Sequence, residues 1–124
     1  MNTKNNTRIL WLLPLLAYSV MIYFLSSGPV KMPGSGFPGM DKWLHASAYA
    51  LMAALAWQAL RQWPLRCLSC WAWFYTVVYG ATDEWHQHFV PGRHADIWDW
   101  VADVTGASLF ILIRYGMSHW QQRI

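Results

Sequence analysis

The sequence predicts an all-α fold: an integral membrane bundle of four transmembrane helices with both termini in the cytoplasm. Hydrophobic residues make up 56% of the 124-residue chain and charged residues only 12%, whereas soluble domains usually contain about 45–50% and about 25%. The apolar residues also gather in four long runs. A soluble bundle of this length has too little interior to bury four such helices.

Each run has nearly the length that is needed to cross a bilayer. Because an α-helix rises 1.5 Å per residue, about 17 residues reach about 25 Å, close to the roughly 30 Å hydrocarbon core once polar ends are added. The runs are 9–25, 43–60, 67–82 and 97–113. With their flanks, they predict helices at about residues 9–26, 42–61, 67–89 and 95–114 within a single domain, 1–124.

The first predicted helix follows Lys4 and Arg8, an arrangement that secretory signal peptides share. Its apolar run exceeds the usual ~7 to 15 residues of such a peptide, and the stretch after it is a poor cleavage site. We therefore expect an uncleaved helix. Stretches rich in Gly, Pro or basic residues separate the predicted helices, at 26–40, 61–66 and 90–95.

Basic residues predict the orientation, because cytoplasmic flanks retain Lys and Arg. With the N-terminus inside, six bases lie on the inner side and three on the outer side. The inner set is Lys4, Arg8, Arg61, Arg66, Arg114 and Arg123, and the outer set is Lys31, Lys42 and Arg93. All six acids lie towards the outer side. Topology and anionic inner-leaflet lipids thus account for the net charge of +3, and no nucleic-acid partner is expected.

Cys67 and Cys70 form a CxxC pair, a motif that in other settings marks redox or metal chemistry. Here the pair begins an apolar run, and no second pair follows it. We therefore expect two buried, inert cysteines, and nothing in the sequence requires an oxidising compartment.

Polar side chains recur at helical spacing near the outer ends of the last three predicted helices. Residues three, four or seven positions apart share a helix face. The second helix carries Asp41, His45 and Tyr49, the third Glu84 and Gln87 with Asp83 on an adjoining face, and the fourth Asp96, Asp99 and Asp103. Ionisable groups within a membrane cost roughly 2.5–3.5 kcal/mol each, so we expect them to face one another around a cavity open to the outside.

Other polar residues have simpler interpretations. Lys42 and Arg93 are the cations near the cavity mouth, and Arg93 follows a Pro-Gly turn from which its guanidinium can hold a phosphate or carboxylate. Asp99 and Asp103 can instead act as hydrogen-bonding groups between helices. At most one of His86 and His88 enters the cavity, because they are two residues apart. We read His94 and His119 as surface histidines.

Two stretches, "DKWLHASAYALMAAL" and "DEWHQHFVPGRHADIWDWVADVTG", resemble the VanZ-like membrane proteins over residues 41–106. The family pattern is D-K-x-x-H-x-x-x-Y, then D/E-E-x-x-Q-x-F-x-P-x-R, then D-x-x-x-N-x-x-G. Matching positions are Asp41, Lys42, His45, Tyr49, Glu84, Gln87, Pro91, Arg93, Asp99 and Gly106. Asp103 stands where the family usually has Asn, and because two nearby ionised carboxylates repel, we expect it or Asp99 to hold a proton.

The resemblance implies a multi-pass protein of the bacterial cytoplasmic (inner) membrane. Founding members are associated with low-level resistance to the antibiotic teicoplanin at the cell envelope. One hypothesis is an enzyme that acts on an anionic envelope lipid or precursor head group. Its catalytic set is His45, Glu84 and Asp99, with Asp99 positioning His45; its binding set is Lys42, Arg93, Gln87, Tyr49 and Asp41; its secondary set is Asp83, Asp96 and Asp103.

Two further functions stay open, together with the oligomeric state. The protein can bind an envelope lipid or antibiotic without chemistry, or it can carry a solute coupled to protons along the Asp96, Asp99 and Asp103 ladder. The carrier ranks lowest, because no charged group continues the ladder to the inner side. We expect no cofactor; the alternative is a divalent metal on His45, Glu84 and Asp99, which lack a compact ligand motif such as HExxH.

Small residues predict close helix packing. Ala102 and Gly106 form a small-xxx-small pair on the fourth predicted helix, and the second offers several alanines, including Ala46.

Overall fold

The computed structural model describes residues 3–29 and 36–123, with side chains from residue 7 onward. These residues form α-helices and no strand: α1 (Thr3–Leu10), α2 (Leu12–Ser26), α3 (Met40–Leu60), α4 (Leu68–Gln87) and α5 (Ile97–Gln121). Only Trp11 separates α1 from α2, so the chain has four long helical stretches. The predicted all-α class is confirmed. Lys31 and the side chain of Lys4, both used to predict the orientation, lie outside the described residues.

The second and third predicted helices begin and end within about two residues of α3 and α4, within the usual uncertainty of helix ends. The first, predicted at about 9–26, ends with α2 at Ser26 but begins inside α1. The last helix is longer than predicted, since it runs to Gln121 rather than ending near residue 114. The apolar run of this helix stops at residue 113, but no proline follows that would end the helix.

The outside of the bundle is largely apolar, and its interior buries polar as well as apolar side chains. Large apolar side chains on every long helix are exposed, among them Phe24, Phe74 and Leu112 at 69%, 55% and 64%. Polar side chains such as Thr76 and Asp103 are completely buried. So many exposed large apolar side chains are unusual in soluble proteins and are consistent with a membrane protein.

By length and composition, one helical stretch of the described residues qualifies as a membrane span. It is Thr7–Ser26, with a mean hydropathy of 2.0. The other long helices carry the polar groups described below, which lower their hydropathy. Four spans and two cytoplasmic termini therefore stay a prediction.

Helices α3 and α5 approach each other most closely at a glycine. A Cβ atom on Gly106 would lie 1.9 Å from the carbonyl oxygen of Ala46, so the two backbones are in direct contact. The predicted packing role of Gly106 is confirmed. This crossing brings the outer half of α3 against the acidic face of α5.

Helix α2 is held against the bundle by hydrogen bonds as well as by apolar contacts. The Tyr18 hydroxyl donates to the carbonyl of Ala48 on α3 at 2.9 Å. On α4, the Tyr75 hydroxyl lies 2.8 Å from the Ser19 hydroxyl, and Tyr79 donates to the Ser19 carbonyl. Away from these contacts the interior is an apolar cluster that includes Leu15, Ile22, Met52, Ala56 and Ala72.

The expectation of two buried, inert cysteines is wrong. Cys67 and Cys70 are exposed and joined by a disulfide. Cys67 is the N-cap of α4 and has left-handed backbone (φ 52°), which places it outside the helix body and within bonding reach of Cys70. Disulfides persist in oxidising compartments. The charge pattern predicts that this same end lies in the cytoplasm, so the two signals disagree about its compartment.

Candidate functional site

The outer ends of α3, α4 and α5 meet around one cavity of about 580 Å³, which we call the polar pocket. Side chains from the three predicted polar stripes line it, together with the turn before α5 and the end of α2. Its polar lining residues are Ser26, Asp41, His45, Tyr49, Asp83, Gln87, Arg93, His94 and Asp99. Ile22, Leu25 and Leu44 form part of its apolar wall. The stripes therefore face one another, as their helical spacing indicates.

Lys42 holds the N-terminal ends of α3 and α5 together. Its ammonium nitrogen lies 2.9 Å from Asp41 Oδ2 and 2.8 Å from Asp96 Oδ2, and it also donates to Asp99. The hydrogen bond from Lys42 holds the pKa of Asp41 below its usual range. Three carboxylates of the protein thus share the charge of Lys42, which was predicted to hold an external anion.

His45 lies between two acids of α5. Its Nδ1 is 2.9 Å from Asp103 Oδ1, and its Nε2 is 3.7 Å from Asp99 Oδ2. Asp103 is completely buried, whereas Asp99 lines the pocket. We predicted that Asp99 positions His45, but the direct hydrogen-bonding distance is to Asp103. The reason is the Ala46–Gly106 crossing, which places His45 level with the turn of α5 that carries Asp103.

Glu84 connects the end of α4 to the start of α5. Its Oε2 accepts a hydrogen bond from the backbone N–H of Asp96 at 3.1 Å. Its Oε1 is buried and has no hydrogen-bond partner among the described residues. Asp103 Oδ2 is also buried without a hydrogen-bond partner among the described residues. His45, Glu84 and Asp103 each offer a metal-ligand atom, and these atoms all lie within 4.8 Å of one another.

A second polar group connects α3, α4 and the end of α2. The Tyr49 hydroxyl donates to Asp83 Oδ2 at 3.1 Å, and Gln87 Nε2 lies 3.4 Å from the same oxygen. Gln87 also reaches the hydroxyl of Ser26 at 3.5 Å. All four side chains are buried. This group orients the pocket floor and ties it to α2.

Gly80 is a site residue that the sequence analysis missed. A Cβ atom there would lie 3.0 Å from Asp103 Oδ2 and 3.2 Å from Tyr49 Cε1. The glycine therefore leaves space in which the buried carboxylate and the tyrosine ring can lie side by side. Its sequence signal is an isolated glycine inside a helical run, which often marks close packing.

Arg93 binds the protein's own backbone. Its Nε donates to the carbonyl of Gly28 and its Nη2 to the carbonyl of Leu25, both at 2.7 Å. Gly92 has φ of +79°, which forms the turn that directs Arg93 towards α2. The guanidinium, which was predicted to hold an external anion, thus satisfies carbonyl groups at the C-terminal end of α2 and forms part of the pocket wall.

The other four histidines lie away from the centre of the polar pocket. His86 stacks on Tyr23, and its Nε2 lies 2.9 Å from the Ser27 hydroxyl. His88 is exposed, and neither of these two lines the polar pocket. His94 is an exposed residue at the rim, and His119 is exposed at the far end of α5.

Comparison with known protein families identifies the family of this chain. The sequence model of the VanZ/LLP1 family matches residues 2–117 of the 124-residue chain. The chain belongs to the VanZ/LLP1 family. Its match extends well beyond residues 41–106, where the resemblance was seen, and takes in α2 and most of α5. Neither a curated protein nor a solved structure matches the chain.

In this VanZ/LLP1 protein, every acidic residue of the chain lies in or beside the polar pocket. Six carboxyl groups face two fixed cations, Lys42 and Arg93, and one ionisable imidazole, His45. Unpaired charge is costly away from water, because the low dielectric does not screen it. The site therefore needs protons or a bound cation to balance its carboxylates. An imidazole held by a carboxylate, as His45 is, is suited to proton transfer.

Proposed function

We propose that this VanZ/LLP1 protein crosses the bacterial inner membrane four times, with both termini in the cytoplasm, and acts on an anionic envelope lipid or lipid-linked precursor. In this proposal the polar pocket opens to the outside and receives the head group. His45 gives or takes a proton there. The observation that carries the proposal is the 2.9 Å contact between His45 Nδ1 and buried Asp103.

That contact suits general acid–base chemistry. A proton on Nδ1 donates to Asp103, which orients the ring and leaves Nε2 as the proton acceptor. Asp99 lies 3.7 Å from Nε2 and stabilises the imidazolium that forms when this nitrogen takes a proton. The proton comes from a water molecule or a lipid hydroxyl, whose oxygen bonds to the phosphorus of the head group; the bond from phosphorus to the leaving oxygen breaks, and His45 returns the proton to that oxygen. Asp99 and Asp103 thereby divide between them the role that was predicted for Asp99 alone.

The pocket walls favour a lipid over a free polar solute. Leu25 and Leu44 line the same cavity as the polar groups, and both are exposed. A head group can therefore enter the polar pocket while its acyl or isoprenoid chains lie on the apolar outer face. An anionic head group must also overcome the excess of carboxylates, which Lys42 and Arg93 do not balance.

The experiment is mass analysis of lipids extracted from cells that make the wild-type protein, the His45→Gln variant or the His88→Gln variant. His88 is the matched control, because it is an exposed histidine outside the pocket. We expect the wild type and His88→Gln to change the same head-group population, and His45→Gln to leave it unchanged while the purified variant still folds. Equal changes with both variants would show that His45 takes no part.

A non-catalytic envelope-lipid or antibiotic binder is the second candidate. It is favoured by the engagement of Glu84, a residue of the predicted catalytic set, by the backbone N–H of Asp96. Teicoplanin resistance and lipid co-purification that persist in His45→Gln would support binding without chemistry. No comparable observation supports the proton-coupled carrier. Among the described residues, an apolar cluster that includes Met52 and Ala56 fills the core between the helices and offers no ladder of charged groups.

A further inference from the structure

We infer that His45, Glu84 and Asp103 form a binding site for one divalent transition-metal ion of the Zn²⁺ or Mn²⁺ type. The three residues come from three different helices, α3, α4 and α5. One ligand atom from each lies within 4.8 Å of the other two. The site goes beyond the proposed function, since it assigns a cation to the protein and stands whether or not a lipid is turned over.

Two orphaned carboxylate oxygens point to a cation. Glu84 Oε1 and Asp103 Oδ2 are buried and have no hydrogen-bond donor among the described residues. Glu84 is 9% exposed and Asp103 is 0% exposed, so water reaches these groups poorly. Buried acceptors without partners are rare and cost about 1–3 kcal/mol each, more when charged. One dication between them satisfies both oxygens and removes their mutual repulsion.

The other oxygens and the neighbouring backbone hold the three side chains in place. Glu84 Oε2 is bound by the backbone N–H of Asp96, which leaves Oε1 free for a ligand. Asp103 Oδ1 lies 2.9 Å from His45, which leaves Oδ2 free. Gly80 keeps the space beside Oδ2 open, because any larger residue would place Cβ 3.0 Å from that oxygen. Such supporting contacts orient ligands in metal sites.

The donor set selects the class of metal. One imidazole nitrogen and two carboxylate oxygens suit Zn²⁺ or Mn²⁺, whereas Mg²⁺ prefers oxygen ligands and retains several waters. Bonds of about 2.0–2.2 Å to a common ion bring ligand atoms to roughly 3–3.5 Å from one another. Binding therefore draws the three side chains inward by about 1 Å. Three protein ligands leave at least one coordination position for water or a substrate oxygen.

A metal ion would also alter the charge balance of the polar pocket. Two positive charges next to Glu84 and Asp103 offset the carboxylates that otherwise repel an anionic head group. This consequence rests on the proposed function, whereas the metal site does not. A metal-bound imidazole nitrogen cannot also accept a proton, so bound metal would replace the acid–base role proposed for His45 rather than add to it. The two are separated by measuring metal uptake in the absence of lipid.

The test uses the full chain, purified in detergent and stripped of metal with EDTA. Equilibrium dialysis against ZnCl₂, MnCl₂ or MgCl₂, followed by elemental analysis, measures uptake per chain. We expect one saturable equivalent of Zn²⁺ or Mn²⁺, and Mg²⁺ bound at least about tenfold more weakly. His45→Gln, Glu84→Gln and Asp103→Asn should each weaken uptake at least about 100-fold.

Two variants serve as matched controls. His88→Gln removes an exposed histidine one turn after Glu84, and His119→Gln removes an exposed histidine at the far end of α5. Both should bind metal like the wild type. Thermal unfolding shows whether each variant folds, and added metal should raise the midpoint of the wild type and the controls only.

Three results would overturn the site. The first is the absence of saturable uptake of any of the three ions by folded wild-type protein. The second is unchanged affinity in Asp103→Asn or Glu84→Gln. The third is a wild-type unfolding midpoint that added Zn²⁺ or Mn²⁺ raises no more than it raises those of the three ligand variants. Normal uptake with no lipid change in cells would reject the proposed function and leave the metal site standing.

Discussion

Replacing Gly106 by Ala tests the contact on which the geometry of the polar pocket depends. The new Cβ would lie 1.9 Å from the carbonyl oxygen of Ala46, 2.7 Å from its carbonyl carbon and 2.9 Å from its Cα. Ordinary contact begins near 3.4 Å, so the two backbones must part by roughly 1.5 Å. No side-chain rotation can relieve the clash, because the atoms that it meets are backbone atoms of α3.

The expected loss of stability follows from two opposing effects. Overpacking costs about 1–3 kcal/mol, and a clash between two helix backbones belongs at the upper end of that range. Alanine in place of a helical glycine recovers about 1 kcal/mol of helix propensity. Gly106→Ala should therefore lower the free energy of unfolding by about 2 kcal/mol.

The matched control is Gly116→Ala, on the same helix, where a Cβ meets nothing within 4 Å. This control should gain up to about 1 kcal/mol, so the two variants should differ by about 3 kcal/mol. Reversible unfolding in detergent, followed by tryptophan fluorescence, measures the difference. Equal stabilities of the two variants would refute the contact between the helix backbones. Gly106→Ala should also lengthen the His45–Asp103 contact, which histidine NMR can detect.

Two further predictions concern the ends of the bundle. Arg93→Lys keeps the charge but cannot reproduce the two guanidinium hydrogen bonds to the end of α2. It should therefore lower the free energy of unfolding by about 1–2 kcal/mol in the same assay and speed amide exchange at that end of α2. Unchanged exchange would show that these bonds do not hold α2. The exposed Cys67–Cys70 disulfide predicts no free thiol in protein alkylated rapidly in intact cells, and two thiols per chain after reduction. Labelling before reduction would contradict the disulfide, and labelling after reduction by a membrane-impermeant reagent would contradict the predicted cytoplasmic location of this end.

The helices and their polar faces were predictable because both depend on residues near one another in the chain. Long apolar runs mark the helices, and spacings of three, four and seven residues place His45, Tyr49, Asp99 and Asp103 on inward faces. The last helix runs past the predicted span of about 95–114, since its apolar character stops before the helix does. Nothing local there opposes further helical hydrogen bonds.

The contacts of individual side chains were less predictable, because they depend on where the helices cross. His45 can reach Asp99 or Asp103 by spacing alone, and the nearer partner is decided by the contact of Gly106 with Ala46. The acceptors of Arg93 are backbone carbonyls about 65 residues away along the chain, which no local pattern of polar side chains reveals. The cysteines were misjudged because the chain leaves the helix at Cys67.

By itself, the amino-acid sequence determined that this protein is built of apolar helices and that its acids gather towards one end, because composition and helical periodicity are properties of the chain alone. The tertiary structure decided which of these polar groups satisfy one another and which stay unpaired. Lys42 and Arg93 are engaged by the protein, whereas one oxygen each of Glu84 and Asp103 has no partner among the described residues. Pairing of this kind depends on distances of a few tenths of an ångström across helix crossings, and these are set only when the helices pack.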